Sequence, residues 1–191
     1  MTFSGKENEQ ILLKLIKDGD QAAMKALYDL HVKYLTAICS RYIADDEDVK
    51  DVLQDCFIKI FGSVDTFKYY GEGSLRGWMA RITVNETLKF VKASGRLCTT
   101  PLREDDDSED ECCDADDEPP LGNIPPKIVH DMIRRLPEGY RTIFNLYVFE
   151  GKSHKEIAAM LGIKVSSSAS QLFRAKALLA KRIRQYMETN T

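Results

Sequence analysis

The sequence predicts an all-α fold, in which two small helical domains are joined by an acidic flexible linker and the second domain contains a helix-turn-helix. Three observations support this prediction. Apolar residues recur at helical spacing on both sides of the linker, without the alternation that marks strands. Charge is divided into a neutral, an acidic and a basic block along the chain. The basic block contains a helix-capping signal that is followed by a glycine turn.

The charge blocks define the predicted domains. Residues 1–97 carry 14 Lys/Arg and 14 Asp/Glu, whereas residues 98–126 carry one Arg and eleven Asp/Glu. Residues 127–191 carry 12 Lys/Arg and five Asp/Glu, which gives this last block a charge of +7. The middle block is rich in like charge and proline and cannot bury enough apolar surface to offset its ordering entropy. We therefore predict helical domains at 1–97 and 127–191 with a disordered linker at 98–126.

Four apolar stripes predict the helices of the first domain. They begin with Ile11, Met24, Val49 and Leu75, and each continues at spacings of three or four residues. Trp78 falls within the fourth stripe and is expected to belong to the core. Turn-forming residues separate the stripes at Asp18-Gly19-Asp20, Ala44-Asp45-Asp46, Gly62-Ser63 and Gly71-Glu72-Gly73-Ser74.

In the second domain, one predicted helix follows Pro125-Pro126, and Pro137 ends it and occupies the first turn of the next helix, which stops at Glu150-Gly151. Ser153 and Glu156 have the spacing of a capping box, in which each side chain satisfies a backbone N–H of the other. The helix they start closes at Gly162, and the serine run then begins the last helix, with Ser166 or Ser167 as its N-cap.

A helix, a tight glycine turn and a second helix follow one another in the positively charged block. This order predicts a DNA-binding helix-turn-helix. Small hydroxyl side chains at the start of the last helix allow close approach to DNA, and Gln171 and Arg174 follow one turn later. Leu172, Leu179 and Ile183 supply its buried face. The alternative is a small helical bundle without DNA function, in which Ser170 and Arg174 form a solvated face.

Three segments resemble bacterial RNA polymerase sigma factors. LPEGYRTIFNLYVFEGKSHKEIAAMLGIKVSSSASQLFRAKALL, from Leu136, resembles their region 4. DEDVKDVLQDCFIKIF, from Asp46, resembles the core-binding helix of region 2, and FKYYGEGSLRGWMARITVNETLKF, from Phe67, resembles the promoter-melting segment that follows. Two domains with only an acidic linker between them resemble the extracytoplasmic-function (ECF) group. The resemblance implies a non-enzymatic subunit that directs core polymerase to promoters and helps to open the DNA.

The resemblance also implies the site residues. Those for the minus-thirty-five element are Ser166, Ser167, Ser168, Ser170, Gln171 and Arg174, with Lys155, Lys164 and Lys176 on phosphates. At the minus-ten element, a loop is expected to receive a flipped base and the helix after it to contact the single strand. The residues implied for these two contacts are Tyr69, Tyr70, Gly71, Glu72, Gly73, Ser74, Arg76, Arg81, Asn85 and Lys89. Those for core polymerase are Asp48, Asp51, Gln54, Asp55, Phe57 and Lys59.

The implied partners are core RNA polymerase, through the clamp helices of its largest subunit and its flap region, promoter DNA, and an anti-sigma factor. No cofactor, metal or small-molecule substrate is implied. The acidic linker is interpreted as a solvated spacer, as a segment that occupies the nucleic-acid channel of the polymerase, or as a strap that folds back on the basic domain.

Two rival interpretations are also compatible with the sequence. A one-component helix-turn-helix repressor with a helical sensor domain predicts a dimer on a palindrome. A metal or redox sensor built on Cys98, Cys112 and Cys113 lacks the C-x-x-C spacing of a zinc site. The start MTFSGKENEQ has no signal-peptide apolar core, and the five cysteines are an odd number, so we expect a cytoplasmic protein without a disulfide framework.

Overall fold

A computed structural model describes residues 6–94 and 124–190, and all regular elements in these two ranges are helices, which confirms the predicted all-α class. The chain divides into two compact units at Phe90 and Val91. Neither described range contains a helix long and apolar enough to cross a membrane. Most of the predicted linker, with Cys98, Cys112 and Cys113, lies outside the described residues.

Residues 6–94, which comprise the described part of the first unit and the last turn of its final helix, contain four α-helices and a short 3₁₀ helix. Their bounds are α1 Lys6–Lys17, α2 Gln21–Tyr42, α3 Asp46–Ser63, the 3₁₀ helix Val64–Thr66 and α4 Ser74–Ala93. Three of the four predicted breaks are confirmed, whereas Gly62 and Ser63 lie within α3. Two of the confirmed breaks are followed by a helix that an acidic residue caps. Asp20 Oδ1 accepts hydrogen bonds from the backbone N–H groups of Ala22 and Ala23, and the Asp45 carboxylate caps α3 in the same way.

The core of the first unit is formed by the apolar stripes of these helices. Leu27 and Leu35 of α2, Ile60 of α3 and Met79 of α4 are fully buried. Cys39 Sγ lies 3.5 Å from Thr87 Oγ1, which joins α2 to α4 by a buried polar contact. The stripes therefore fix the rotation of α3 and α4, and with it the side chains that these helices turn outward.

Within the second unit, residues 124–190 contain four helices: α5 Pro126–Arg134, α6 Glu138–Val148, α7 His154–Leu161 and α8 Val165–Asn190. Ile133 and Leu136 pack with Ala175 and Leu179 of α8 in its core. Arg182 of α8 donates hydrogen bonds to the carbonyls of Met132, at 2.9 Å, and Arg135, at 3.3 Å. A cation at these last carbonyls of α5 also complements the negative end of that helix.

Three predicted boundaries in this unit were wrong. Pro137 is the N-cap of α6 rather than a residue of its first turn, because its ψ of 142° is extended. The same helix ends at Val148, short of Glu150. The last helix begins at Val165, so Ser166 and Ser167 lie within its first turn and are not its N-cap. After the left-handed Gly162, with φ of +72°, only Ile163 and Lys164 separate α7 from α8. The new helix therefore starts before the serines.

Candidate nucleic-acid interface

The helix-turn-helix is formed by α7, the turn at Gly162 and α8. At the start of α7, the Ser153 N–H donates to the Glu156 carboxylate at 2.9 Å, and the Glu156 N–H donates to Ser153 Oγ at 3.3 Å. This is the capping box that the sequence predicted. The backbone and side-chain hydrogen bonds from Ser153, helped by Lys152, hold the pKa of the Glu156 carboxyl below its usual value.

The first turns of α8 present most of the predicted reading residues to solvent. Ser166, Ser170 and Arg174 are exposed at intervals of four residues, so they form one row along the helix. Ser167 and Gln171 are half-buried at the edge of this row. The three lysines assigned to phosphates are also exposed: Lys155, Lys164 and Lys176. Polar and basic side chains thus share the exposed start of α8 with the apolar side chain of Val165.

Ser168 departs from the prediction that it reads DNA. Its side chain is fully buried, with 0% exposure, and its Oγ lies 3.0 Å from Nδ1 of His154. Ser168 precedes the buried Leu172 by four residues, so it shares the inner face of α8. A side chain on that face does not reach a base edge, and Ser168 is therefore removed from the set of reading residues.

The loop before α4 has a backbone that depends on glycine. Gly71 and Gly73 have φ of +122° and +81°, values that L-residues rarely adopt. Ser74 Oγ donates to the Gly71 carbonyl at 2.6 Å and accepts from the Tyr70 N–H at 3.3 Å. Tyr70 itself is 83% exposed. The loop is thus closed by hydrogen bonds and holds an aromatic ring in solvent, next to the exposed Glu72.

An open cavity of about 240 Å³ adjoins the half-buried Tyr69 of this loop. Burial, followed by the nearby carboxylates of Glu9 and Glu72, raises the pKa of Tyr69. The remaining residues of the lining are Gln10, Leu13, Lys14, Lys17 and Phe67. Sequence reasoning gave α1 no part in the site. The only sequence signal was the pair of lysines three residues apart, which places both on one side of α1.

Three of the polar side chains assigned to the separated strand follow the loop on the outer face of α4. Arg81, Asn85 and Lys89 are exposed at roughly one-turn intervals. Arg76 is exposed as well, and its guanidinium carbon lies 3.8 Å from the ring centroid of Tyr34. This cation–π interaction holds the Arg76 side chain against α2.

Trp78 of α4 and His31 of α2 are two further ring side chains in this unit. Trp78 is half-buried and packs against Phe67 with ring centroids 4.9 Å apart, in agreement with its predicted place in the core. His31 of α2 is half-buried, and burial, followed by the Arg76 charge, lowers its pKa. This side of α4 therefore combines an apolar base with a basic outer face.

The outer face of α3 carries most of the predicted polymerase-binding residues. Asp51, Gln54, Asp55 and Lys59 are exposed, and Asp48 is half-buried. Phe57 does not lie at the edge of this face, because it is 4% exposed and packs against Tyr28 with ring centroids 4.5 Å apart. Phe57 therefore belongs to the core.

Sequence reasoning also missed a residue on this face. Ile58 is 64% exposed and lies on α3 one turn beyond Gln54 and Asp55. Its signal in the sequence was an apolar side chain out of phase with the stripe of Val49, Val52, Leu53, Cys56 and Ile60. An exposed isoleucine among charged side chains gives the face an apolar centre suited to protein contact.

Both units resemble known sequence families. Residues 27–97 match the family model described as Sigma-70 region 2, and residues 127–179 match the one described as Sigma-70, region 4. The chain is 29% identical over 186 residues to the ECF RNA polymerase sigma-E factor of Haemophilus influenzae, which covers 94% of this chain and 97% of the relative. It is 28% identical over 186 residues to the RNA polymerase sigma-H factor of Pseudomonas aeruginosa, covering 92% and 94%.

Two solved structures are also similar. One is CnrH in complex with the cytosolic domain of CnrY, at 24% identity and a TM-score of 0.44, covering 92% of this chain and 96% of that one. The other is the sigma factor RpoE in complex with the anti-sigma factor NepR from Bartonella quintana, at 21% identity and a TM-score of 0.47, covering 84% and 96%.

Proposed function

The chain belongs to the sigma-70 family of RNA polymerase sigma factors, in its ECF group, and we propose on that premise which of its surfaces carries each step of initiation. Its function is to direct core RNA polymerase to promoters. A one-component repressor is not favoured, because both units match regions of the same family. These steps are binding to polymerase, reading of the minus-thirty-five element and opening of the minus-ten element.

The start of α8 reads the minus-thirty-five element in the major groove. The observation that carries this assignment is the exposed row of Ser166, Ser170 and Arg174 directly after the Gly162 turn. Arginine pairs with the two acceptors of guanine, and serine hydroxyls can bond base edges as donor or acceptor. The Ser170 hydroxyl donates to the Ser166 carbonyl at 2.9 Å and therefore offers its oxygen as an acceptor. Ser167 and Gln171 assist at the edge of the row, and Lys155, Lys164 and Lys176 bind phosphates, which position the helix without reading sequence.

The loop at residues 69–74 receives a base flipped from the minus-ten element. Extracting a base costs a few kcal/mol, and stacking on an aromatic ring returns about 1–3 kcal/mol. The exposure of Tyr70 and the glycine-dependent backbone beside it support this role. Arg81, Asn85 and Lys89 then lie along the path of the separated strand, and the exposed Arg76, which lies over the Tyr34 ring, precedes them on α4.

The outer face of α3 binds the clamp helices of the largest polymerase subunit. Its charged side chains surround Ile58, and an apolar centre with a polar rim is the usual anatomy of a protein interface. In the second unit, Val148 and Phe149 at the end of α6 are both about half exposed, and this apolar pair is our candidate contact for the flap region. Phe57 and Ser168 are buried below the proposed polymerase-binding and DNA-reading surfaces, so they support these surfaces without contacting the partner.

The proposed domains are residues 1–97 for polymerase binding and promoter opening, 98–126 as a linker, and 127–191 for the minus-thirty-five element. We infer that the chain has no catalytic activity of its own and acts in the cytoplasm, where the polymerase is. CnrH and RpoE were each solved with a bound partner, CnrY and the anti-sigma factor NepR respectively. We therefore also propose that an anti-sigma factor holds this chain until it is needed.

The assignment is tested by abortive transcription with purified core polymerase on a library of duplex promoter fragments, with and without the chain. Selective initiation that depends on the chain and requires two conserved promoter elements is the expected result. Arg174→Ala should relax sequence preference at the upstream element alone, whereas Tyr70→Ala should affect opening at the downstream one. Binding of the chain to DNA without any initiation by core polymerase would contradict the assignment.

A further inference from the structure

His154 and Ser168 connect the two helices of the helix-turn-helix. His154 is the first residue of α7, and its Nδ1 lies 3.0 Å from the Oγ of Ser168 in the second turn of α8. Either atom can be the donor, depending on the tautomer of the imidazole. The Ser168 side chain is fully buried, so this contact is shielded from solvent on the serine side.

The imidazole of His154 is also held from α6. Its ring stacks on the ring of Tyr147 with centroids 4.9 Å apart and an angle of 26° between the planes. Stacking fixes the plane of the imidazole, and the hydrogen bond fixes its rotation within that plane. Tyr147, His154 and Ser168 thus form a continuous contact from α6 through α7 to α8.

A hydrogen bond constrains this junction more tightly than apolar packing would. Apolar side chains of similar volume can slide past one another at little cost, whereas a buried hydroxyl must keep its partner at about 2.8 Å to 3.2 Å and in line. If α8 rotated or shifted along its axis, the Ser168 hydroxyl would lose its partner in a site from which water is excluded. The pair therefore favours one orientation of α8 against α7.

The orientation of α8 against α7 sets the distance between two proposed DNA contacts of the second unit, one to a phosphate and one to the bases. Lys155, which we assign to a phosphate, follows His154 directly, and Ser167, which we assign to reading, precedes Ser168. We infer that the His154–Ser168 pair positions the recognition helix and so determines base preference at the minus-thirty-five element. His154 and Ser168 are positioning residues that do not touch DNA. This inference rests on the proposed reading of that element by α8.

The test uses full-length protein with core polymerase on promoters randomised at the upstream element. The readout is the ratio of transcription from the best to the worst base at each position. His154→Phe keeps a ring for stacking on Tyr147 but removes Nδ1, Ser168→Ala removes only the hydroxyl, and His154→Asn keeps an amide near the place of Nδ1. His130→Phe in α5, at a half-exposed position, is the matched control.

One net hydrogen bond corresponds to a change of about threefold to tenfold. We expect His154→Phe and Ser168→Ala each to lower the base-preference ratio by that factor, and the double variant to lose no more than either single one. His154→Asn should retain more preference than His154→Phe, and His130→Phe should retain all of it. Thermal melting of each variant checks folding, and Ser168→Ala supplies the result if His154→Phe does not fold.

An unchanged ratio in Ser168→Ala and in folded His154→Phe overturns the inference. A uniform loss on all promoters, with preference intact, also overturns it, because it shows a role in stability alone. The proposed function itself would fail on a different result. In that case wild-type holoenzyme would initiate without any base preference at the upstream element.

Discussion

The hydroxyl of Ser74 donates a 2.6 Å hydrogen bond to the carbonyl of Gly71 and thereby closes the loop that leads into α4. The same oxygen accepts from the N–H of Tyr70, so the first side chain of α4 binds the backbone of two adjacent loop residues. Gly71 and Gly73 of this loop have positive φ. The position of the exposed Tyr70 ring therefore depends on a backbone that few other residues could adopt.

Gly73→Ala should impair promoter opening while leaving polymerase binding intact. An L-residue at φ of +81° costs about 1–2 kcal/mol, which the loop can recover only by changing shape. We expect slower open-complex formation on duplex promoters and near-normal initiation on promoters that are already melted. Gly77→Ala is the matched control, because Gly77 lies within α4 and a Cβ there would meet nothing within 4 Å. Equal defects in the two variants would show that loop shape is unimportant.

Ile58→Asp should weaken binding to core polymerase. Interface centres lose about 2 kcal/mol or more when an anchoring residue is removed, so we expect at least a tenfold rise in Kd, measured by fluorescence with labelled protein. Because Ile58 is 64% exposed, thermal stability should hardly change. Leu30→Asp on α2 provides the same chemical change at a site with 52% exposure outside the proposed face. If both variants bound core polymerase as wild type does, α3 would not be the contact.

Arg174→Ala should relax sequence preference at the upstream element. A bidentate contact from arginine to guanine is worth about 1–3 kcal/mol of discrimination, and Arg174 is exposed on the row that follows the turn. Lys181→Ala, two turns further along α8 and also exposed, should leave preference unchanged. Transcription from promoters with single upstream substitutions measures the difference. Loss of activity without loss of preference would place Arg174 on a phosphate.

The capping box makes the second unit sensitive to acid. The pKa of Glu156 is lowered in the fold, so its stabilising effect is complete above the ordinary value of 4.5 and disappears as pH falls through the lower folded value. Glu156→Gln can still accept in a capping box but does not titrate, so it should flatten this part of the pH profile. Ser153→Ala removes the cap at all pH values and should cost about 1 kcal/mol. Thermal melting at neutral and acidic pH distinguishes the two variants, and parallel profiles for wild type and Glu156→Gln would contradict the assignment.

The helix starts with a side-chain cap were predicted well, because their signals are local. Asp20 and Asp45 could be recognised as caps or breaks from neighbours within three residues, and Ser153 with Glu156 gave the start of α7. The start of α8 was predicted too late, because the serines there favour an N-cap by type. The helix instead begins as soon as the Gly162 turn allows.

Helical phase was a better guide to the site than residue type. Ser168 is in phase with Leu172, Ala175 and Leu179, so its burial was available from spacing, although its hydroxyl suggested DNA. Ile58 is the converse case, an apolar residue whose phase turns it outward. The partner of Ser168 could not be predicted, because His154 is 14 residues away on another helix. The cavity beside Tyr69 likewise depends on packing between α1 and a loop that is distant in sequence.

The most direct test of the central claim is the permanganate reactivity of thymines around the minus-ten element in a duplex promoter. We predict that reactivity requires core polymerase and this chain together, and that Tyr70→Ala reduces it while core binding is retained. Ile58→Asp should reduce it through loss of binding. The contradicting result is a chain that protects the promoter by itself and leaves the thymines unreactive when core polymerase is added.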